Sequence, residues 1–163
     1  MDVGIQIDDA AIKAGLTRLA ALGRDLRPVM AGIAAIGEAA TRLRFHTETG
    51  PDGVKWQPSL RAQISGGRTL TKDGHLGDSV SASHSADFAE WGVNRPYAAI
   101  HQFGGVIRPK KKAALRFALA GGGFATVKSV NMPARPYLGL SDEDRQSILA
   151  LITTHIEGAA HAG

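Results

Sequence analysis

Pro28-Val29-Met30-Ala31-Gly32-Ile33-Ala34-Ala35-Ile36-Gly37-Glu38-Ala39-Ala40-Thr41-Arg42-Leu43-Arg44-Phe45 is the stretch on which the fold turns. Val29, Ile33, Ile36, Ala40 and Leu43 recur three or four residues apart, the spacing of one helical face. Pro28 suits the first turn of a helix, where its missing N–H costs nothing. Ala31, Gly32, Ala34, Ala35, Gly37 and Ala39 keep much of the remaining surface small, open to close packing on another helix or on a second subunit. The apolar run from Met30 stops at Glu38 and is too short to cross a bilayer, so no membrane partner is expected.

Toward the N-terminus, Val3, Ile5 and Ile7 alternate with Gly4, Gln6 and Asp8, the period of a short half-buried strand. Asp8 or Asp9 then caps a first helix whose stripe is Ile12, Leu16, Leu19, Leu22 and Leu26, closed by Gly23 and Arg27-Pro28. No basic segment and long apolar run open the chain, so a secretory signal is not supported.

Toward the C-terminus, Thr49-Gly50-Pro51-Asp52-Gly53 breaks the central helix and opens an irregular loop over 50–74. His75 to Ser79 reads as one helical turn, and Val80–Ser85 with Asp87–Val93 as a tight hairpin. Tyr97–Phe103 reads as a short helix capped by Gly104-Gly105. Ala113–Leu119 alternates as a strand, turns at Gly121-Gly122-Gly123 and returns through Phe124–Asn131, with Phe117 and Phe124 expected to face the core. The prolines of 133–137 enforce extended backbone. Ser141 followed by Asp142, Glu143 and Asp144 is a helix start: a hydroxyl cap with acids at the positive end of the dipole. Ile148, Leu149, Ile152 and Ile156 give that helix a buried face, with 158–163 expected as a flexible tail. The order predicts a single α+β domain over 1–163, a small mixed or antiparallel sheet with hairpins packed by three main helices.

The 163 residues are 44% hydrophobic, enough for one core and too few for two. No cysteine is present, which removes disulfides, thiolate zinc sites and cysteine nucleophiles. The net charge of +4 is unevenly placed. Residues 91–141 hold eight of the 19 cations and none of the 15 carboxylates, leaving the rest of the chain net acidic. Those cations are Arg95, Arg108, Lys110, Lys111, Lys112, Arg116, Lys128 and Arg135. Opposite charge on two parts of one chain favours head-to-tail self-association, and a cationic part also suits DNA or an acidic partner.

Signals for catalysis are weak. The six histidines include no helical i, i+4 pair, so a zinc site has no support, and no cofactor is expected. Gly121–Gly123 lacks the Lys-Ser/Thr of a phosphate cradle. Asp142–Asp144 is explained by its helix start, and Ser79 and Ser141 lack a nucleophile elbow. No helix-turn-helix, zinc finger or basic zipper is readable.

Four blocks in order carry a resemblance. They are Gly53-x-x-Trp56-x-Pro58; Leu70-Thr71-Lys72-Asp73-Gly74-His75-Leu76-Gly77-Asp78-Ser79-Val80; Gly92-Val93-Asn94-Arg95-Pro96-Tyr97-Ala98-Ala99-Ile100-His101-Gln102-Phe103-Gly104-Gly105; and Pro133-Ala134-Arg135-Pro136-Tyr137-Leu138-Gly139-Leu140-Ser141. Together they resemble the phage virion morphogenesis family, tail-completion proteins of Mu-like and related tailed phages. His75 stands where such proteins often carry arginine, and Arg108 to Val130 matches no block of the family. The resemblance implies a non-enzymatic structural protein of the virion tail or neck, made in the host cytoplasm. It would act in tail completion or head–tail joining as a ring-forming subunit, commonly a hexamer. Implied partners are copies of itself, the tail tube protein and a head–tail connector or stopper protein, with genomic DNA nearby.

Segments 50–74 and 106–131 are then expected as assembly arms. The expected interface residues are Trp56, Trp91, Tyr97, His101, Gln102, Phe103, Arg108, Lys110, Lys111, Lys112, Arg135 and Tyr137. For the two tryptophans, core and interface remain equally open, since aromatics contribute heavily to both. Two rival classes are a nucleic-acid-binding accessory protein and a hydrolase acting during infection.

Overall fold

The computed structural model describes residues 4–119 and 122–161. Asp9 caps the first helix, α1 (Ala10–Ala21), its Oδ1 accepting from the backbone N–H of Ala11 at 2.9 Å and Ile12 at 3.0 Å. The strand expected from Val3 to Ile7 is corrected: residues 4–9 form none, and Val3 lies outside the described residues. Alternation is present, but among the described residues no strand lies alongside to accept and donate its ladder bonds.

The central helix, α2 (Arg27–Thr47), ends where Glu48 turns left-handed at φ 55°. Its interior face runs through Val29, Met30, Ile33, Ala34, Gly37, Thr41, Arg44 and Phe45. The small residues are used within the chain. A Cβ on Gly32 would lie 2.5 Å from the Leu151 side chain, and one on Gly37 2.2 Å from the indole of Trp91.

Beyond α2, the irregular stretch is better anchored than its composition suggests. It contains α3 (Leu60–Ser65), capped by the Ser59 hydroxyl. Buried Thr69 donates its N–H to the Glu48 carboxylate, and its hydroxyl accepts from the Ser59 N–H at 3.2 Å. One turn, α4 (His75–Asp78), leads into the hairpin β1 (Val80–His84) and β2 (Ala89–Val93), which packs on α2. Then come α5 (Ala98–Phe103) and β3 (Gly105–Ile107), followed by β4 (Leu115–Ala118), β5 (Phe124–Val127) and β6 (Val130–Met132).

The fold is α+β, and among the described residues the strands form three separate antiparallel pairs, β1–β2, β3–β6 and β4–β5, rather than one sheet. The last helix, α6 (Asp142–His161), opens on a reciprocal cap. The Ser141 hydroxyl accepts from Asp144 N–H at 3.1 Å, and the Asp144 carboxylate accepts from Ser141 N–H at 2.9 Å. It continues as helix through residues 158–161 of the segment expected as a tail; 162–163 lie outside the described residues.

Two apolar clusters fill the interior. Leu19, Val29, Met30, Ile33, Ile148 and Ile152 join α1, α2 and α6. Phe45, Trp56, Leu76, Val80, Val93, Ala98, Tyr137 and Leu138 join the far end of α2 to the hairpin, α5 and the proline segment. Trp91 packs against both.

Candidate assembly surface

The expected interface residues fall into two groups, separated by the surface of the chain. Trp56, Gln102, Arg135 and Tyr137 lie inside and are satisfied there. Trp56 Nε1 donates to Pro136 O at 2.8 Å, and its ring meets Phe45 edge-on. Arg135 Nε donates to Gln57 O at 2.7 Å. The Tyr137 hydroxyl donates to Ala98 O at 2.9 Å, and burial pushes its pKa up.

Gln102 ties the group together. Its Oε1 accepts from the N–H groups of Tyr137 and Leu138, each at 3.0 Å, while Nε2 donates to Leu138 O at 3.2 Å. Proline-rich backbone at 133–138 cannot enter a regular ladder, so side chains satisfy its polar groups. These four residues therefore latch the proline segment onto α5 and the 54–58 loop, inside the chain rather than on its exposed surface. Gly104 belongs to the same latch. It adopts φ 69°, and a Cβ there would lie 2.7 Å from Ala134 N, so both the turn and the close approach exclude a side chain.

Trp91 is half-buried between the two clusters. His101 is also half-buried, its ring edge-on to Tyr97 with centroids 6.0 Å apart, and its Nδ1 is buried without a hydrogen-bond partner. Burial, reinforced by the Arg135 charge, pushes the His101 pKa below 6.5. The unfolded chain then binds a proton that the folded ring refuses, so folding stability should fall as pH drops through and below about 6.5. Urea midpoints measured across that range should fall less steeply in His101→Gln; an unchanged slope would assign the effect to other groups.

The second group is outside. Tyr97 and Phe103 are exposed, as are Arg108, Lys110, Lys111 and Lys112. The arm from β3 to β6 carries these four cations with Arg116 and Lys128, and none of the six pairs with a carboxylate among the described residues. Phe117 and Phe124 are 40% and 62% exposed, which corrects their expected place in the core. Alternation showed that β4–β5 has two faces, but no other element packs on it to a comparable extent. Arg116 lies over the Phe124 ring, 4.2 Å from its centroid, a cation–π contact. The result is a projecting ribbon of positive charge and uncovered aromatic surface, chemistry suited to contact.

Arg44 was missed as a structural centre: it is 6% exposed and pairs with Asp144. Gly37 and Thr41, at successive four-residue steps before Phe45, marked that face, and Arg44 lies three residues after Thr41 on it.

Residues 7–157 match the phage virion morphogenesis family. The chain is similar to the "Putative capsid assembly protein G" of Escherichia phage Mu, 29% identical over 168 residues that cover 98% of this chain and 97% of that one. It is also similar to the "Mu-like prophage FluMu G protein 2" of Haemophilus influenzae, 31% identical over 95% of this chain and 96% of that one. No solved structure matches. With the four ordered sequence blocks inside the matched span, the chain belongs to the phage virion morphogenesis family.

Proposed function

We propose that the protein is a non-enzymatic structural subunit that completes the tail or joins it to the head, working as a homo-oligomeric ring around the DNA channel. Family membership over nearly the whole chain supports the morphogenesis role, and the Mu relative is named for capsid assembly. A protein acting where head and tail meet accommodates both the tail reading and that name. The observation that carries the contact role is the arm: six cations without carboxylate partners among the described residues, beside uncovered phenylalanines. Its partners are further copies of the chain, the tail tube protein and a connector or stopper protein, in the virion tail or neck.

Changing Lys110, Lys111 and Lys112 together to Glu is expected to block particle assembly while leaving the free chain folded. All three are exposed and unpaired, so the fold loses nothing by their reversal. Complementation by the triple variant in a phage lacking the protein, beside its circular dichroism melt, checks this; full particle yield would overturn the contact role. The same cations favour a second reading, in which the arm approaches nucleic acid. Duplex DNA affinity that falls steeply with salt and vanishes in the triple variant would support it.

A further inference from the structure

An open groove of about 440 Å³ lies on the opposite kind of surface from the arm. Its floor is apolar, made by Ile5, Ile7, Ile12, Leu16, Phe88 and Trp91. Ile5, Ile7 and Phe88 are exposed, so this end of the first cluster is uncovered. The surrounding charge is mainly acidic. Asp8 pairs with Lys13 and Asp9 with Arg145, which leaves Asp87 and Glu90 at the β2 end without a cation among the described residues.

The β4–β5 ribbon is complementary in both respects. Phe124 supplies exposed apolar surface on the ribbon face that carries Arg116, and Arg116 with Lys128 just beyond β5 supplies positive charge without a carboxylate partner among the described residues. A lone two-stranded ribbon is marginal in water without something packed against its apolar face. None of the described arm residues lines the groove of its own chain. We propose that the groove receives the β4–β5 ribbon of a second copy of this chain. Phe124 packs on the groove floor, and Arg116 and Lys128 beside it face Asp87 and Glu90. This deepens the oligomeric reading above and rests on it. Groove and ribbon are different surfaces, so the contact is head-to-tail and leaves one of each free for further copies.

Two charge-reversed proteins test it: a groove variant, Asp87→Lys with Glu90→Lys, and a ribbon variant, Arg116→Glu with Lys128→Glu. In analytical ultracentrifugation each should associate at least about tenfold more weakly than the unaltered chain, since close unlike charges have become like charges. Mixed together they should associate again in alternating order, because each native half meets its native partner and the two reversed halves are once more of opposite charge. A second measurement does not depend on those variants folding. The chain has no cysteine, so Phe88→Cys in one copy and Phe124→Cys in another should form a mixed disulfide under mild oxidation.

If both charge variants associate as the unaltered chain does, or no mixed disulfide forms, the groove–ribbon contact is wrong while an oligomer built another way still stands. If the unaltered chain is monomeric at every soluble concentration, this contact and the self-associating reading both fall. DNA binding lost only in the ribbon variant, with no self-association, would assign the ribbon to nucleic acid and overturn the proposal.

Discussion

Arg44→Ala is expected to lower folding stability by about 3–5 kcal/mol, the usual cost of breaking a buried ion pair from one side. The guanidinium sits where three parts of the chain converge. Nη1 donates to Tyr137 O at 3.1 Å and Gly139 O at 3.0 Å, while Nη2 pairs with Asp144 at the start of α6. Burial pushes the pKa of Arg44 down, and the Asp144 charge opposes that push. Alanine would leave two carbonyls and a largely buried carboxylate without their donor. For a chain of this length the loss corresponds to a melting temperature lower by roughly 10 °C or more.

Arg44→Lys should recover only part of this, because one ammonium cannot reproduce the fork that reaches two carbonyls and a carboxylate. Asp144→Ala should also be costly, as it removes both the ion pair and the cap on Ser141. The double variant should cost less than the sum of the two singles, since each single leaves a charge buried alone. Urea unfolding at neutral pH measures all four. A loss under about 1 kcal/mol for Arg44→Ala would show that water replaces the side chain without penalty, and that the junction is held by packing alone.

Arg44 also shows what could not be read beforehand. Its position on α2 follows from local spacing, but its partners lie 93 and 100 residues away. Features that depend on neighbouring residues were legible: the Asp9 cap, the extent of α2, the β1–β2 hairpin, the Gly104 cap and the Ser141 start of α6. Features that depend on which distant surface arrives were not. Ile5 and Ile7 had strand alternation and no strand to join; Phe117 and Phe124 had the right period and nothing to cover them. The site divided along the same line. A run of lysines is legible as exposed because burying unpaired charge is prohibitive, whereas Trp56 and Tyr137 gave no such signal. Aromatic side chains serve a core and an interface equally well. Only the partners of Trp56 and Tyr137, Pro136 O and Ala98 O, decide for the core.

The same ambiguity at Trp91 has an experimental answer. Its indole lies flat enough on α2 that a methyl group on Gly37 would come within 2.2 Å of Cδ2 and 2.3 Å of Cε2, far inside contact distance. Ring and helix cannot both stay in place, so Gly37→Ala should cost about 1–3 kcal/mol or more through forced displacement. Trp91→Ala should cost about 3–5 kcal/mol, because the ring closes the seam between the two apolar clusters. A purely interfacial tryptophan would instead leave the stability of the isolated chain nearly unchanged when truncated. Combining Gly37→Ala with Trp91→Ala gives the sharper test. Once the indole is gone, the added methyl occupies space the ring vacated, and the double variant should be more stable than the sum of the singles by about 0.5–3 kcal/mol. Strict additivity in urea unfolding would mean that the ring does not rest on Gly37. The packing of the β1–β2 hairpin on α2, and with it the Trp91 part of the groove floor, would then have to be rebuilt.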